Sequence, residues 1–129
     1  MTGGPRLRVL IADDDRMIRE VLAEVLNEQP DIDVVAVARD AEEAIRFTER
    51  DRPDVAVLDL RMPRGGGTRA AREIAARSPA TALLAFSAYS DRLALTELRA
   101  IGVAEFLVKG VPNTTIVSAV RRLGQRATG

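Results

Sequence analysis

Apolar residues in this chain gather in five short runs, separated by longer stretches in which apolar positions recur with a helical period. Each run has the length of a β-strand, and most are rich in Val, Ile, Leu or Phe. The runs are LRVLIA (7–12), VVAVA (34–38), VAVLD (55–59), ALLAFS (82–87) and EFLVK (105–109). Because the runs are almost continuously apolar, we expect strands that are buried on both faces of a sheet.

The stretches between the runs predict amphipathic helices. In the first stretch, six apolar residues are spaced so that they share one helix face: Met17, Ile18, Val21, Leu22, Val25 and Leu26. The boundary signals are a capping box (DAEE, 40–43), an N-cap at Ser90, a C-cap at Gly102, and breakers at Pro30, Pro53 and Pro79. Strand and helix therefore alternate as (βα)5, which predicts a doubly wound α/β fold with five parallel strands and helices on both faces.

Polar side chains stand at the ends of four of these runs. Asp13 and Asp14 follow the first run, and the third, fourth and fifth runs end at Asp59, Ser87 and Lys109. The carboxyl ends of parallel strands share one edge of the sheet, and ligands bind at that edge in such folds. We therefore expect three carboxylates, one hydroxyl and one ammonium group to converge there.

This set of groups indicates phosphoryl chemistry with a metal ion. Three neighbouring carboxylates repel one another unless a cation compensates them, and oxygen ligands favour a hard ion such as Mg²⁺. Asp is an established nucleophile for phosphoryl transfer. One carboxylate has a simpler use, because either Asp14 or Asp15 can serve as the N-cap of the first helix, but a cap needs only one of the three.

Lys109 is the only lysine among the 19 Lys and Arg residues of the chain. Arg carries a wide planar fork, whereas Lys ends in a compact charge on a thin stem. A narrow slot between an Asp and a phosphoryl oxygen accepts only the second shape. The position of Lys109 at the end of an apolar run therefore favours a role in the site over that of a solvated surface charge.

Composition narrows the chemistry further. The chain has no Cys and no His, which excludes disulfides, thiolate nucleophiles and imidazole bases. The 19 acidic residues balance the 19 basic ones, so we expect no direct binding of nucleic acid. No apolar window is long enough to span a membrane, and MTGGPRLR (1–8) lacks the core of a signal peptide, so we expect no membrane association and a cytoplasmic location.

Four stretches, VLIADDD, VAVLDLRMP, LLAFSA and EFLVKG, occur in an order and at spacings that resemble the receiver domain of two-component response regulators. The resemblance covers about residues 7–123 and implies the strand order 2-1-3-4-5. It implies that Asp59 is the phosphoacceptor and that Ser87 and Lys109 contact its phosphoryl group. The implied Mg²⁺ ligands are Asp13 (through water), Asp14, Asp59 and the backbone carbonyl of Arg61, and the implied switch residues are Ser87 and Phe106.

The chain departs from the common receiver pattern at three points. Gly110 follows the lysine where many receivers have proline, and Phe106 stands where many have tyrosine. RGGG (64–67) follows the Met-Pro step, and its glycines predict a mobile loop beside Asp59.

The resemblance also implies partners and boundaries. A histidine kinase or phosphotransfer protein would donate the phosphoryl group. The face formed by helix 4, strand 5 and helix 5 would contact an effector or a second copy of the chain. We expect a flexible N-terminus over 1–6, the receiver domain over 7–123, and a flexible tail or the start of a linker over 124–129.

Such a domain is a regulatory phosphoacceptor that assists its own phosphorylation and dephosphorylation, not an enzyme acting on a separate substrate. The alternative is a degenerate receiver that acts as a phosphorylation-independent interaction module, but it would normally have lost Asp59, Lys109 or the acidic pair. A flavodoxin-like cofactor binder would need a phosphate-binding loop where ADDD (12–15) stands. A hydrolase of the haloacid dehalogenase type would need an Asp at position 61, which is Arg61.

Overall fold

The structure, a computed structural model, describes residues 6–62 and 66–128, apart from the side chains of 126–128. Strands and helices alternate along the described chain, and a 3-10 turn, Tyr89–Ala94, precedes the fourth helix. The strands are β1 (Leu7–Ala12), β2 (Ile32–Ala38), β3 (Val55–Leu58), β4 (Ala82–Ser87) and β5 (Val103–Val108). The helices are α1 (Arg16–Asn27), α2 (Ala41–Asp51), α3 (Gly66–Arg77), α4 (Leu95–Ile101) and α5 (Asn113–Thr128).

The five strands form one parallel sheet in the order β2-β1-β3-β4-β5. The predicted fold class and strand order are therefore confirmed. β1 lies between β2 and β3, so the chain reverses its direction of winding at β1. Residues that follow β1 and β3 consequently become neighbours at the carboxyl edge, where a doubly wound sheet binds its ligands.

Two hydrophobic clusters cover the two faces of the sheet. Alternating residues of β1 divide between them, with Leu10 and Ala12 in one cluster and Val9 and Ile11 in the other. The first cluster is closed by residues of α2, α3 and α4, and the second by residues of α1 and α5. Burial on both faces explains why the strands are almost continuously apolar. No helix within 6–62 and 66–128 is long and apolar enough to cross a membrane.

The cap of α2 and the end of α4 match the sequence signals, except that one bond of the α2 capping box involves the residue before the cap. Asp40 Oδ1 accepts a hydrogen bond from Glu43 N (2.8 Å), as a capping box requires. Glu43 Oε1 accepts its bond from Arg39 N (3.0 Å), one residue before the cap itself. Gly102 ends α4 with a φ of 125°, a conformation that favours glycine.

One sequence expectation needs correction. Ser90 is not the N-cap of α4, because the 3-10 turn intervenes and the cap position, Ala94, makes no side-chain bond. α5 continues past residue 123, where the sequence predicts the end of the domain, to Thr128. Gly124 lies so close to Leu7 that an added Cβ would be 2.7 Å from that side chain, which ties this turn of α5 to β1.

Candidate functional site

Backbone hydrogen bonds carry the sheet one residue beyond the strand ends and thereby place the site residues. Asp13 N donates to Ala38 O (3.1 Å), and Asp59 N donates to Ala12 O (2.9 Å). Lys109 N donates to Ser87 O (2.8 Å). A hydrogen bond to the neighbouring strand therefore fixes the backbone of each residue, and its side chain projects from a rigid support.

The three predicted carboxylates lie together. Asp13, Asp14 and Asp59 each offer one oxygen, and these oxygens lie within 4.8 Å of one another. Asp13 and Asp59 are buried, at 1% and 3% exposed, whereas Asp14 is exposed. The site therefore has a buried acidic floor and one carboxylate at its mouth.

Asp15 is the residue that caps α1. Its Oδ1 accepts hydrogen bonds from Met17 N (2.9 Å) and Ile18 N (3.2 Å). Asp15 N in turn donates to Asp13 Oδ1 (2.8 Å), which fixes the Asp13 side chain. The capping role open to Asp14 or Asp15 thus belongs to Asp15, and the Asp14 carboxylate is not used as the cap.

Lys109 reaches into the acidic cluster. Its Nζ lies 2.9 Å from Asp13 Oδ2 and 3.4 Å from Asp59 Oδ2. Burial alone would lower the pKa of Lys109, but the ion pairs with Asp13 and Asp59 outweigh it and raise that pKa above its ordinary value. The lysine therefore stays charged and compensates part of the acidic cluster.

Asp13 is a buried carboxylate with one oxygen only partly satisfied by the protein. Burial raises its pKa, although the bonds from Lys109 and Asp15 oppose the shift. Its buried Oδ2 has no well-aligned hydrogen-bond donor among the described residues, even though the Lys109 ammonium lies near it. A buried carboxylate oxygen without a donor, next to two more carboxylates, fits a hard divalent cation.

Ser87 is fully buried at the end of β4. Its Oγ lies 3.1 Å from Asp59 Oδ1 and 2.6 Å from Asp91 Oδ2. A hydroxyl has one proton to donate, so it can serve only one of these carboxylates at a time. Because the contact with Asp91 is the shorter one, we infer that the Ser87 hydroxyl donates its proton to Asp91.

Asp91 and the Arg61 side chain were not predicted as site residues. Arg61 Nε lies 3.1 Å from Asp91 Oδ2, and Arg61 Nη2 donates to Ser90 Oγ (3.0 Å). Arg61 N also donates to Asp59 Oδ1 (3.1 Å), so the residue touches the site through its backbone as well. No motif marks Asp91, because its position depends on the conformation of the 3-10 turn.

The glycines after Met62 support the floor of the site. Residues 63–65, which include part of the predicted mobile loop, lie outside the described residues. Gly66 and Gly67 are the first residues of α3, and Gly67 N donates to Leu60 O (3.1 Å). A Cβ on Gly67 would lie 2.1 Å from Asp59 O, so glycine here permits a close approach of α3 to the Asp59 backbone.

Phe106, the predicted switch residue, lies on β5 opposite Ala85 of β4. It is half-buried and packs against the hydrophobic cluster on the α2, α3 and α4 face. Ser87 is two residues further along β4 and pairs with Val108. The two residues are therefore on adjacent strands, two positions apart in the register.

The sequence matches the family model of the response regulator receiver domain over residues 9–121. It is 34% identical to the oxygen regulatory protein NreC of Staphylococcus epidermidis, over 95% of this chain and 56% of that protein. It is 35% identical to the protein-glutamate methylesterase/protein-glutamine glutaminase of Pyrococcus abyssi, over 93% of this chain and 32% of that protein. The chain thus spans about half, or less, of the curated relatives that it matches.

Solved structures agree with the sequence match. The receiver domain of the putative response regulator NarL from Mycobacterium tuberculosis superposes with a TM-score of 0.88 at 31% identity, covering 95% of this chain and 98% of that one. The response regulator domain of Thermotoga maritima CheB gives 0.86 at 26% identity, covering 93% and 97%. The acidic cluster, Ser87 and Lys109 are all present, so nothing favours a degenerate receiver. The chain belongs to the response regulator receiver domain family.

Proposed function

We propose that Asp59 accepts a phosphoryl group from a histidine kinase or a phosphotransfer protein and that this event switches the domain between two conformations. One observation carries the proposal: the buried Asp59 carboxylate faces the Lys109 ammonium at 3.4 Å inside a cluster of three carboxylates. The 129 residues contain no histidine, so a phosphohistidine donor would lie outside this sequence.

Asp59 is better placed than Asp13 to act as the nucleophile. Each carboxylate accepts one backbone bond on Oδ1, but Asp13 Oδ2 pairs closely with Lys109 at 2.9 Å. Asp59 lies after β3, the central strand of the sheet, and its Oδ2 is further from the lysine. An Asp59 oxygen would form the new O–P bond while the N–P bond of the donor breaks. The electron pair of that bond passes to the imidazole nitrogen of the donor, which then takes up a proton.

Asp13, Asp14 and Asp59 would hold Mg²⁺, and the backbone carbonyl of Arg61 would complete the protein ligands. When bound, the ion neutralises charge on the phosphoryl oxygens. Lys109, whose ammonium group contacts both Asp13 and Asp59, would pair with a phosphoryl oxygen. The residues of the chain therefore act mainly by neutralising charge and by positioning.

Ser87 and Phe106 would transmit the change. The Ser87 hydroxyl would turn toward the phosphoryl group, and Phe106 would repack into the space beside β4. This repacking would alter the face formed by α4, β5 and α5, where an effector or a second copy of the chain would bind. Phosphorylation would thereby shift an equilibrium between two states that exist without it.

A groove beside Lys109 supports docking of the phosphodonor protein. The groove has a volume of ≈ 300 Å³, and residues of α1, of the segment between β5 and α5, and of α5 line it, including Ile18, Val111 and Ile116. Met17 and Val21 are 72% and 47% exposed on α1. Because Lys109 also lines the groove, a helix seated there would bring its histidine next to Asp59.

The test is uptake of phosphoryl from phosphoramidate in the presence of Mg²⁺, followed by intact mass. We expect wild type to gain the mass of one phosphoryl group and Asp59→Asn to gain none, because an amide does not attack phosphorus. Asp33→Asn, an exposed residue of β2, is the matched control and should behave like wild type. Uptake by Asp59→Asn at the wild-type level would overturn the assignment.

A further inference from the structure

Asp91 engages two donors at the border of the site. Its Oδ2 accepts the Ser87 hydroxyl at 2.6 Å, and its carboxylate pairs with Arg61 Nε at 3.1 to 3.2 Å. The Asp91 side chain is 16% exposed, whereas its partner Arg61 is 63% exposed, so water screens the Arg61 pair more than the contact with the buried Ser87. Asp91 therefore joins the 3-10 turn to the end of β4 and to the loop after β3.

Both donors are ones that a phosphoryl group on Asp59 would attract. Ser87 Oγ also lies 3.1 Å from Asp59 Oδ1, and the backbone N–H of Arg61 donates to the same oxygen, which anchors the arginine next to Asp59. Since the Ser87 hydroxyl has one proton, it cannot satisfy Asp91 and a phosphoryl oxygen together. The Arg61 guanidinium, likewise, is committed to Asp91 and Ser90 in this structure.

We propose that Asp91 is a positioning residue that competes with the phosphoryl group for Ser87 and Arg61 and thereby slows phosphorylation of Asp59. The inference rests on the proposed function of Asp59 and adds a residue that sets its rate. In the unphosphorylated domain, the Asp91 carboxylate binds the donors that the phosphoryl group would bind after loading. Loading of Asp59 requires the Ser87 hydroxyl, and then Arg61, to exchange one negative partner for another.

The negative charge of Asp91 would also slow phosphorylation of Asp59. The Asp91 carboxylate pairs with the Arg61 guanidinium at 3.1 Å, as a carboxylate anion does. Asp91 and Asp59 contact the same Ser87 oxygen, which places a fixed negative charge near the incoming phosphoryl group. Removal of Asp91 both frees the donors and removes that repulsion.

The test measures the rate of loading from phosphoramidate with Mg²⁺ in wild type, Asp91→Ala, Arg61→Ala and the double variant. We expect Asp91→Ala to load about two- to fivefold faster, the range for a partly exposed charge pair. The gain should be smaller in the Arg61→Ala background, because the freed arginine supplies part of it. Asp31→Ala, which removes a carboxylate from another arginine pair, is the matched control and should load at the wild-type rate.

Asp91→Asn guards against a change in folding, because it keeps the shape and an acceptor for Ser87 but loses the charge. We expect it to load at a rate between those of wild type and Asp91→Ala. Loading of Asp91→Asn and Asp91→Ala at or below the wild-type rate would overturn the competition, as would an equal gain with and without Arg61. Failure of wild type itself to load would instead overturn the proposed function of Asp59, so the two failures are distinguishable.

Discussion

Lys109 Nζ lies closer to Asp13 Oδ2, at 2.9 Å, than to the oxygen of the proposed phosphoacceptor. In this structure the lysine therefore serves first to compensate the buried Oδ2 of Asp13, which has no well-aligned hydrogen-bond donor among the described residues. A phosphoryl group on Asp59 would supply a stronger partner, and the move of one ammonium between two anions is a simple way to couple phosphorylation to the geometry of β5.

Lys109→Arg tests that coupling. The variant keeps the charge, but the broader planar fork does not fit between Asp13 and Asp59 as the ammonium does. We expect it to fold, to bind Mg²⁺ and to be phosphorylated, yet to fail to reach the active conformation. Backbone NMR shifts around Ser87 and Phe106, with and without the phosphoryl group, are the measurement.

Arg16→Lys, at an exposed ion pair on α1, is the control for the exchange of the two residue types. Wild-type shift changes in Lys109→Arg would show that the lysine is not the switch contact.

Asp14→Ala tests the metal site. Asp14 is the exposed member of the carboxylate cluster, so its removal costs no buried contact and relieves repulsion. We expect the metal-free variant to be at least as stable as wild type and to lose its stabilisation by Mg²⁺. For wild type that stabilisation is about 1.4 kcal/mol at ten times Kd. The measurement is the melting temperature of each protein with and without Mg²⁺. A wild-type melting temperature that Mg²⁺ does not change would argue against a metal site.

Gly67→Ala tests the close approach of α3 to the phosphoacceptor. The new Cβ would lie 2.1 Å from Asp59 O and 2.7 Å from Leu60 Cα, and both are backbone atoms that cannot move aside cheaply. We expect a loss of about 3 kcal/mol in the free energy of unfolding, measured in urea. Gly110→Ala meets no atom within 4 Å, and its φ of 107° alone should cost about 1 to 2 kcal/mol. Equal losses in the two variants would contradict the packing shown here.

Acid unfolding tests an ion pair far from the site. Hydrogen bonds from Arg121 lower the pKa of Asp31 below its ordinary value of 3.8. A folded-state pKa that is depressed adds stability above the unfolded-state pKa and loses it as the pH falls through the folded value. We therefore expect Arg121→Gln to be less stable than wild type by about 0.2 to 1 kcal/mol at neutral pH, since the pair is partly exposed. The difference should shrink below pH 3.8. A difference that stays constant down to full protonation would contradict the pairing.

The parts of the site that sequence could predict are those placed by the sheet. Asp13, Asp59, Ser87 and Lys109 stand at strand ends, and parallel strands bring their ends to one edge whatever the loops do. Asp91 could not be found in this way, because its contact with Ser87 depends on the path of the 3-10 turn.

The same reason explains the incorrect helix start. A serine before an amphipathic stretch is a common N-cap, but here Ser90 accepts a bond from the Arg61 side chain, which lies in another loop. Local signals therefore sufficed for the cap of α2 at Asp40, where all partners are neighbours in sequence. They did not suffice where a partner comes from a distant segment.

The central claim, that Asp59 and not a neighbouring carboxylate carries the phosphoryl group, has a direct test. The domain is loaded with phosphoramidate and Mg²⁺ and treated with borohydride, which reduces an aspartyl phosphate to homoserine, and peptide sequencing by mass spectrometry locates the product. We expect homoserine at position 59 alone, with Asp13 and Asp14 unchanged. Homoserine at position 13 or 14, or its absence from a protein that has gained phosphoryl mass, would contradict the account.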